Sequence, residues 1–364
     1  MTPKFMASSS GVRRVGLDHL RAIAAFMVFS WHFVHVENVV PLDGSGAAWP
    51  PLSLFSNGYM GVSLFMVLSG YLFGCLTEGR RLIPLAFFRN RVLRLLPLLA
   101  VVFAATWGKD LLLNQGLHMG ERLLWGWLLP TLPAGAWSIT VELHFYLLLP
   151  ALLWLRSRGA GLLLLLVVAA VCLRAALHWQ GVELQGLSYL TMVGRIDQFV
   201  LGLLAAAWRR HLVEHRWIGV AVVLGLLGVF THIDRCGSMF SQGRDMAAWW
   251  VAITTLEGVF FAWLVAWYDV SNPSAEGRLS RCLQHVGDVS YSIYLWHTFF
   301  VFVAARWLHR HVIDLSNVHV ALCVSLVCFV LFLPFATISH RVFERPFLRM
   351  RRPATVAAGP GHGA

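Results

Sequence analysis

Apolar runs recur along the whole chain, near 18–38, 59–76, 95–108, 138–155, 160–177, 188–208, 217–231, 246–268, 287–306 and 318–340. Most match the roughly 20 residues a helix needs to cross a hydrocarbon core about 30 Å thick, the third and seventh being short. The pattern predicts an all-α membrane protein with about ten transmembrane helices. Between the second and third runs, Pro84 to Pro97 alternates bulky apolar residues with Arg89, Arg91 and Arg94 and is bracketed by prolines. That segment predicts a cytoplasmic interfacial amphipathic helix.

Lys and Arg placement orients the spans, because cytoplasmic loops hold the positive excess. From Ala22 to Gly79 there is neither, and then come Arg80, Arg81, Arg89, Arg91 and Arg94. Further clusters fall at Arg156/Arg158, Arg209/Arg210/Arg216, Arg278/Arg281 and from Arg341 through Arg352. With both termini cytoplasmic, the alternation is the one ten spans require. It divides the chain into a cytoplasmic N-terminal tail (1–14), a membrane domain (15–348) and a cytoplasmic tail (349–364) that is Ala/Gly-rich towards its end and expected to be disordered.

Composition agrees, with 58% hydrophobic residues and a mean hydropathy of +0.66. The net charge of +11 follows from topology and from attraction to anionic membrane lipids, so nucleic acid is not an expected partner. The first apolar run is spanning length with no clean cleavage site after it, so it is expected to stay as a helix. The six cysteines are scattered with no metal-ligand spacing, and a metal at His32 and His35 would lack further ligands. No Walker or dinucleotide glycine motif is present.

The most informative stretch runs from Gly16 to His32. It places Arg21 and His32 on one apolar segment, and an ionisable group inside a membrane helix is by default a functional-site hypothesis. At 3.6 residues per turn the two lie only about 20° apart around the axis and roughly 16 Å apart along it. This spacing suits a long ligand with a charged head and a reactive tip. Arg91 and Arg94, three residues apart, share a face and could grip a phosphate or simply anchor to lipid headgroups.

Other segments are more ambiguous singly. Ser69, Gly70 and Tyr71 close the second run with small residues that allow a helix or a ligand to approach. Trp137, Ser138, Glu142 and His144 open the fourth, where a buried carboxylate needs a partner, structural or catalytic. Arg195 and Asp197 read as an internally compensated pair. Tyr291, Tyr294 and His297 follow at three-residue steps, roughly along one helix face.

In this order the segments resemble acyltransferase family 3, the multipass bacterial membrane O-acyltransferases. The likeness runs from Gly16 to Leu348. It rests on Arg21 with His32, Phe65 through Ser69-Gly70-Tyr71, Arg91-Val-Leu-Arg94, Trp137-Ser138 with Glu142, Tyr291 through His297, and Phe343-Glu344-Arg345-Pro346. Met66 and His144 depart from the family's usual residues, which bears on acceptor shape. The resemblance implies a bacterial inner-membrane enzyme that takes an acyl group, usually acetyl, from acyl-CoA and gives it to a hydroxyl, usually of a sugar.

It further implies His32, Arg21 and Glu142 as catalytic residues and Arg91, Arg94, Ser69 and Tyr71 as donor contacts. Trp137, Ser138, Tyr294 and His297 are implied on the acceptor side, with no metal and no permanently bound cofactor. A neutral imidazole near pH 7 is a competent base, whereas Arg21 stays cationic and can only bind or orient an anion. The expected partners are acetyl-CoA, a glycan or lipid-linked glycan, and membrane lipid. The enzymatic alternative is acylation of a secreted small molecule such as a macrolide. The alternative of another class is a transporter of a glycan intermediate using Arg21 and His32 for ion coupling. A reporter fused at Gly44 is predicted to report an extracytoplasmic position, and fusions within 78–94 or at the carboxyl terminus a cytoplasmic one.

Overall fold

The computed structural model describes residues 14–36, 49–113, 119–214, 216–236, 251–271 and 276–357. The tail before Arg14, the loop holding Gly44 and the stretch 358–364 lie outside them. In chain order the helices are α1 (Val15–Val34), α2 (Pro50–Ser56), α3 (Gly61–Leu76), α4 (Pro84–Leu112), α5 (Met119–Trp125), α6 (Trp137–Arg158), α7 (Ala160–Trp179) and α8 (Leu184–Leu190). They continue with α9 (Met192–Val213), α10 (Arg216–Cys236), α11 (Ile253–Ser271), α12 (Arg278–Asp288), α13 (Ser290–His311), α14 (Val318–Ser339) and α15 (Arg345–Leu348). A 3₁₀ turn, Gly58–Met60, leads into α3, and a π turn, His340–Glu344, joins α14 to α15. The strands β1 (Arg80–Leu82) and β2 (Thr355–Ala357) form one antiparallel pair.

Among the described residues, helical structure falls in each of the ten apolar runs, but six helical stretches are long and apolar enough to cross a membrane by length and composition. A seventh arises if α8 and α9, bent by 42° at their junction, form one span. Helices α1 and α13 are long enough, yet Asp18, Arg21 and His32 in one and Arg306, His309 and Arg310 in the other dilute their hydropathy. The protein is a multipass helical membrane protein, and the count of ten exceeds what apolarity alone supports.

Two expectations change. Pro84 to Pro97 is not a separate interfacial helix but the first half of the 29-residue α4. Pro84 sits at the helix start, where a missing N–H is harmless, and Pro97 lies inside it, as membrane helices tolerate. The segment after Leu348 is not disordered as far as Ala357. Asn90 on α4 donates to the Arg352 carbonyl at 2.7 Å and accepts from its N–H at 3.1 Å, and Ile83 donates to the Ala354 carbonyl at 2.8 Å. Its strand then pairs Arg80 with Ala357 and Leu82 with Thr355.

Helix α1 occupies the centre, packed by α3, α11, α12, α13 and α14. Helices α3 and α9 cross closely. A Cβ at Gly70 would lie 2.0 Å from the Phe199 carbonyl oxygen, and one at Gly202 would lie 2.3 Å from that of Val67. Gly70 therefore serves helix packing, the plainer of the two readings open to it.

Buried charges fix the neighbouring helices. Arg195 and Asp197 do not pair with each other, because residues two apart point about 200° apart on a helix. Instead Arg174 on α7 donates to Asp197 at 2.8 Å and to Thr255 at 2.6 Å, with its Nε on the Val251 carbonyl at 2.9 Å. Arg195 lies 3.5 Å from Glu257 on α11, donates to Ser63 on α3 at 2.7 Å, and stacks over Tyr189.

Breaking a buried pair on one side leaves an uncompensated charge, which costs about 3–5 kcal/mol, whereas apolar replacement of both partners is often nearly neutral. Arg174→Ala is therefore predicted to lower the unfolding temperature of detergent-solubilised protein well below that of the double replacement Arg174→Met with Asp197→Leu. A smaller loss in the single variant would contradict this account.

Candidate active site

Two cavities meet inside the bundle. The larger, of about 1120 Å³, is lined by ten arginines, among them Arg21, Arg91, Arg94, Arg345 and Arg351, against three carboxylates, Asp18, Glu142 and Asp288. The smaller, of about 210 Å³, is lined by Trp31, His32, Tyr59, Trp137, Tyr189 and His297 among others. Val62 and Tyr294 belong to both walls. Helix α1 passes from one to the other, with Leu17, Asp18 and Arg21 on the larger and Val28, Trp31 and His32 on the smaller.

In the larger cavity Arg21 is held by Asp18 one turn earlier, at 2.8 Å. Arg94 is fixed by Glu344 of the π turn at 3.0 Å, and Glu344 also accepts from Ser292 at 2.5 Å. The Arg91 guanidinium lies 5.2 to 5.8 Å from the ring centres of Phe73, Tyr146 and Phe87, a cation–π cage, and its Nε has no hydrogen-bond partner among the described residues. Arg351 is in the same position, with a buried and unpartnered Nε. Burial first, and then the Arg94 and Arg91 charges, push it down to about 9. A wall of crowded cations with donors to spare is suited to a polyanion.

Glu142 accepts from the Tyr146 hydroxyl, and the Ser69 hydroxyl lies 3.5 Å away. At the junction, Ser138 and Tyr294 share a 2.6 Å hydrogen bond while the Tyr294 hydroxyl donates to the Gly135 carbonyl at 3.1 Å. With the tyrosine proton so directed, Ser138 is the donor of the shorter bond.

Beyond the junction two imidazoles meet. His297 Nδ1 lies 2.5 Å from the Tyr294 carbonyl, which can only accept, so this nitrogen carries the proton and Nε2 is left with a lone pair. That lone pair faces His32 Nδ1 at 3.3 Å, and His32 Nδ1 also lies 2.9 Å from the Val28 carbonyl. Both acceptors require a proton on His32 Nδ1, leaving Nε2 as its basic nitrogen. Among the described residues no carboxylate pairs with His32.

Acyl transfer is the chemistry with which this arrangement agrees. The chain belongs to acyltransferase family 3. The family's acyltransferase domain matches residues 14–337. The exopolysaccharide production protein ExoZ of Rhizobium meliloti (strain 1021) is 28% identical over 328 residues, 84% of this chain and 94% of that protein. A Komagataeibacter xylinus protein named "Putative membrane-bound transacylase BcsY" is 25% identical over 377 residues, 95% of this chain and 86% of its own. Nodulation protein 10 of Rhizobium leguminosarum bv. viciae is 33% identical over 196 residues, 44% of this chain and 50% of its own. No solved structure matches the chain.

The structure gathers most of the acyltransferase residues expected from sequence. Arg21, Ser69, Arg91, Arg94, Ser138 and Glu142 line the larger cavity, His32, Trp137 and His297 the smaller, and Tyr294 both. Tyr71 is the exception. Two residues beyond Ser69 it points to the other side of α3, fully buried, with its hydroxyl on Asp269 at 2.8 Å, and it does not reach the cavity. His144 donates to or accepts from nothing in either cavity and bonds the Trp127 carbonyl at 2.9 Å. Sequence reasoning overlooked the direct His32–His297 contact and the role of Glu344 in holding Arg94. It also took Arg341 through Arg352 for a topological signal alone, although Arg341, Arg345, Arg349, Arg351 and Arg352 line the wall.

His297→Ala removes the acceptor that, with Val28, sets the His32 tautomer. The turnover number is predicted to fall by about tenfold or more, the loss of one buried hydrogen bond, with little change in donor KM. His297→Gln, whose amide oxygen can accept, is predicted to recover part of the rate. Steady-state acyl transfer by the purified variants measures both.

Proposed function

We propose that the protein is an acyl-CoA-dependent O-acyltransferase of the bacterial inner membrane that transfers acetyl to a sugar hydroxyl of an exopolysaccharide, its lipid-linked precursor or another envelope glycan. The observation that carries the reading is the junction itself. A base of defined tautomer sits in a small cavity that shares Tyr294 and Val62 with an arginine-lined cavity large enough for a long anionic donor. The names of the relatives, one an exopolysaccharide production protein and one a transacylase, support the acceptor class and the reaction.

In this reading the donor's phosphates lie among the arginines, including Arg91 and Arg94, and its thioester reaches Ser138 and Tyr294. His32 Nε2 takes the proton from the acceptor hydroxyl as its oxygen attacks the thioester carbon. The C–O bond forms, the C–S bond breaks, and the proton passes from the imidazolium to the departing thiolate. The Ser138 hydroxyl, at the junction, would serve the developing oxyanion by turning its proton from Tyr294 onto it, a role worth several kcal/mol in acyl transfer. Arg21 and Glu142 act on the donor side, with Glu142 orienting Tyr146 beside Arg91.

The topology that goes with the reading has ten spans, both termini in the cytoplasm and the arginine-lined cavity facing inward. The bend between α8 and α9 would be the discontinuity a transporter needs. It is closed instead by local caps, with Thr191 accepting from the Gly194 N–H at 3.4 Å.

His32→Ala tests the mechanism. Loss of a general base costs about a hundred- to ten-thousandfold in rate, and removing one imidazole does not stop insertion. Acetyl transfer from acetyl-CoA by purified, folded His32→Ala is predicted to fall by that factor at unchanged donor affinity. A near wild-type rate would remove His32 from the chemistry.

A further inference from the structure

The segment that follows α15 was expected to be a tail, yet it is built into the wall of the larger cavity. Three independent ties hold it: the two Asn90 bonds to Arg352, the Ile83 bond to Ala354, and the β1–β2 pairing that sets Arg80 beside it. The result is to set Arg351 in the same cavity wall as Arg91 and Arg94 although like charges repel, and to bury its Nε without a partner. A wall that carries these three guanidiniums, two of them with an unpartnered buried donor, has a place for a strongly charged anion.

We infer that Arg351, with Arg352 beside it, binds a terminal phosphomonoester of the donor, so that the C-terminal segment is a recognition element for 3′-phosphorylated CoA rather than a tail. The inference rests on the acyl-CoA reading given above. A phosphomonoester carries about −1.5 to −2 charges at pH 7 and three acceptor oxygens, enough to satisfy the Arg351 fork and to offset the Arg91 and Arg94 repulsion. A diphosphate diester carries only about one charge per phosphorus, so the phosphomonoester is the stronger anion for this site. The strand pair places Arg351 and Arg352 on the side formed by β1, β2 and α15, whereas Ser138 and Tyr294 enter from α6 and α13 at the junction. A donor lying along the cavity would present its nucleotide end to the first and its thioester to the second.

The test is titration of the purified full-length protein, in nanodiscs of zwitterionic lipid, with acetyl-CoA and with 3′-dephospho-acetyl-CoA. Wild type is predicted to prefer acetyl-CoA, and Arg351→Ala to lose about tenfold in acetyl-CoA affinity with no change for the dephospho form, the loss of one charge-assisted contact. Arg351→Lys, which keeps the charge and loses the fork, should retain part of the preference and controls for a folding defect. An undiminished preference in Arg351→Ala overturns the assignment. If the same variant loses affinity for added phosphatidylglycerol while its donor preference stays intact, the rim belongs to lipid headgroups and the assignment also falls. Should wild type bind neither donor, the acyl-CoA reading itself fails. If it binds both equally, that reading survives and only the phosphomonoester assignment is lost.

Discussion

An arginine removed from water has to meet an anion, and the positions of α4, α7, α9 and α11 answer that requirement. Arg174 meets Asp197 across α7 and α9, Arg195 meets Glu257 across α9 and α11, Arg94 meets Glu344 across α4 and the π turn, and Arg14 meets Asp269 at the end of α11. Each contact joins elements far apart in sequence, so each selects one arrangement of helices whose apolar surfaces alone would accept several. Among the described residues four arginines keep a buried donor without a partner, Arg89, Arg91, Arg195 and Arg351, and two of them, Arg91 and Arg351, face the larger cavity.

Much of this was legible in the chain. Helical class follows from the length of the apolar runs, and the spacing of Arg21 and His32 on one helix foretells that a single element serves both cavities. What sequence could not supply is partnership across helices. Arg195 and Asp197 are neighbours in the chain and read as a pair, but helix geometry sends them to different helices, and their partners Glu257 and Arg174 are identifiable only once α9, α11 and α7 are placed. The His32–His297 contact spans 265 positions and is hidden for the same reason.

Two further differences have local causes. Prolines mark helix boundaries in water. Pro97 nevertheless sits within α4, where the Tyr291 hydroxyl donates to the nearby Leu95 carbonyl at 2.8 Å. The arginines after Leu348 satisfy a charge rule about membrane sidedness, and that sufficiency concealed their second use. A pattern already explained by topology gives no signal of chemistry layered on it.

The narrow junction at Val62 and Tyr294 has an electrical consequence. A polar, cation-lined cavity carries the potential of the compartment it faces to its own floor, so the voltage across the bilayer falls over the short remaining stretch instead of the full thickness. In the topology proposed above His32 lies within that stretch. A proton that moves on or off this imidazole during turnover crosses part of the membrane field, which is worth about 2.3 kcal/mol per charge for a full crossing at 100 mV. Polarisation of the membrane would then act on the rate as a further substrate concentration does, by shifting the fraction of enzyme that has its base ready.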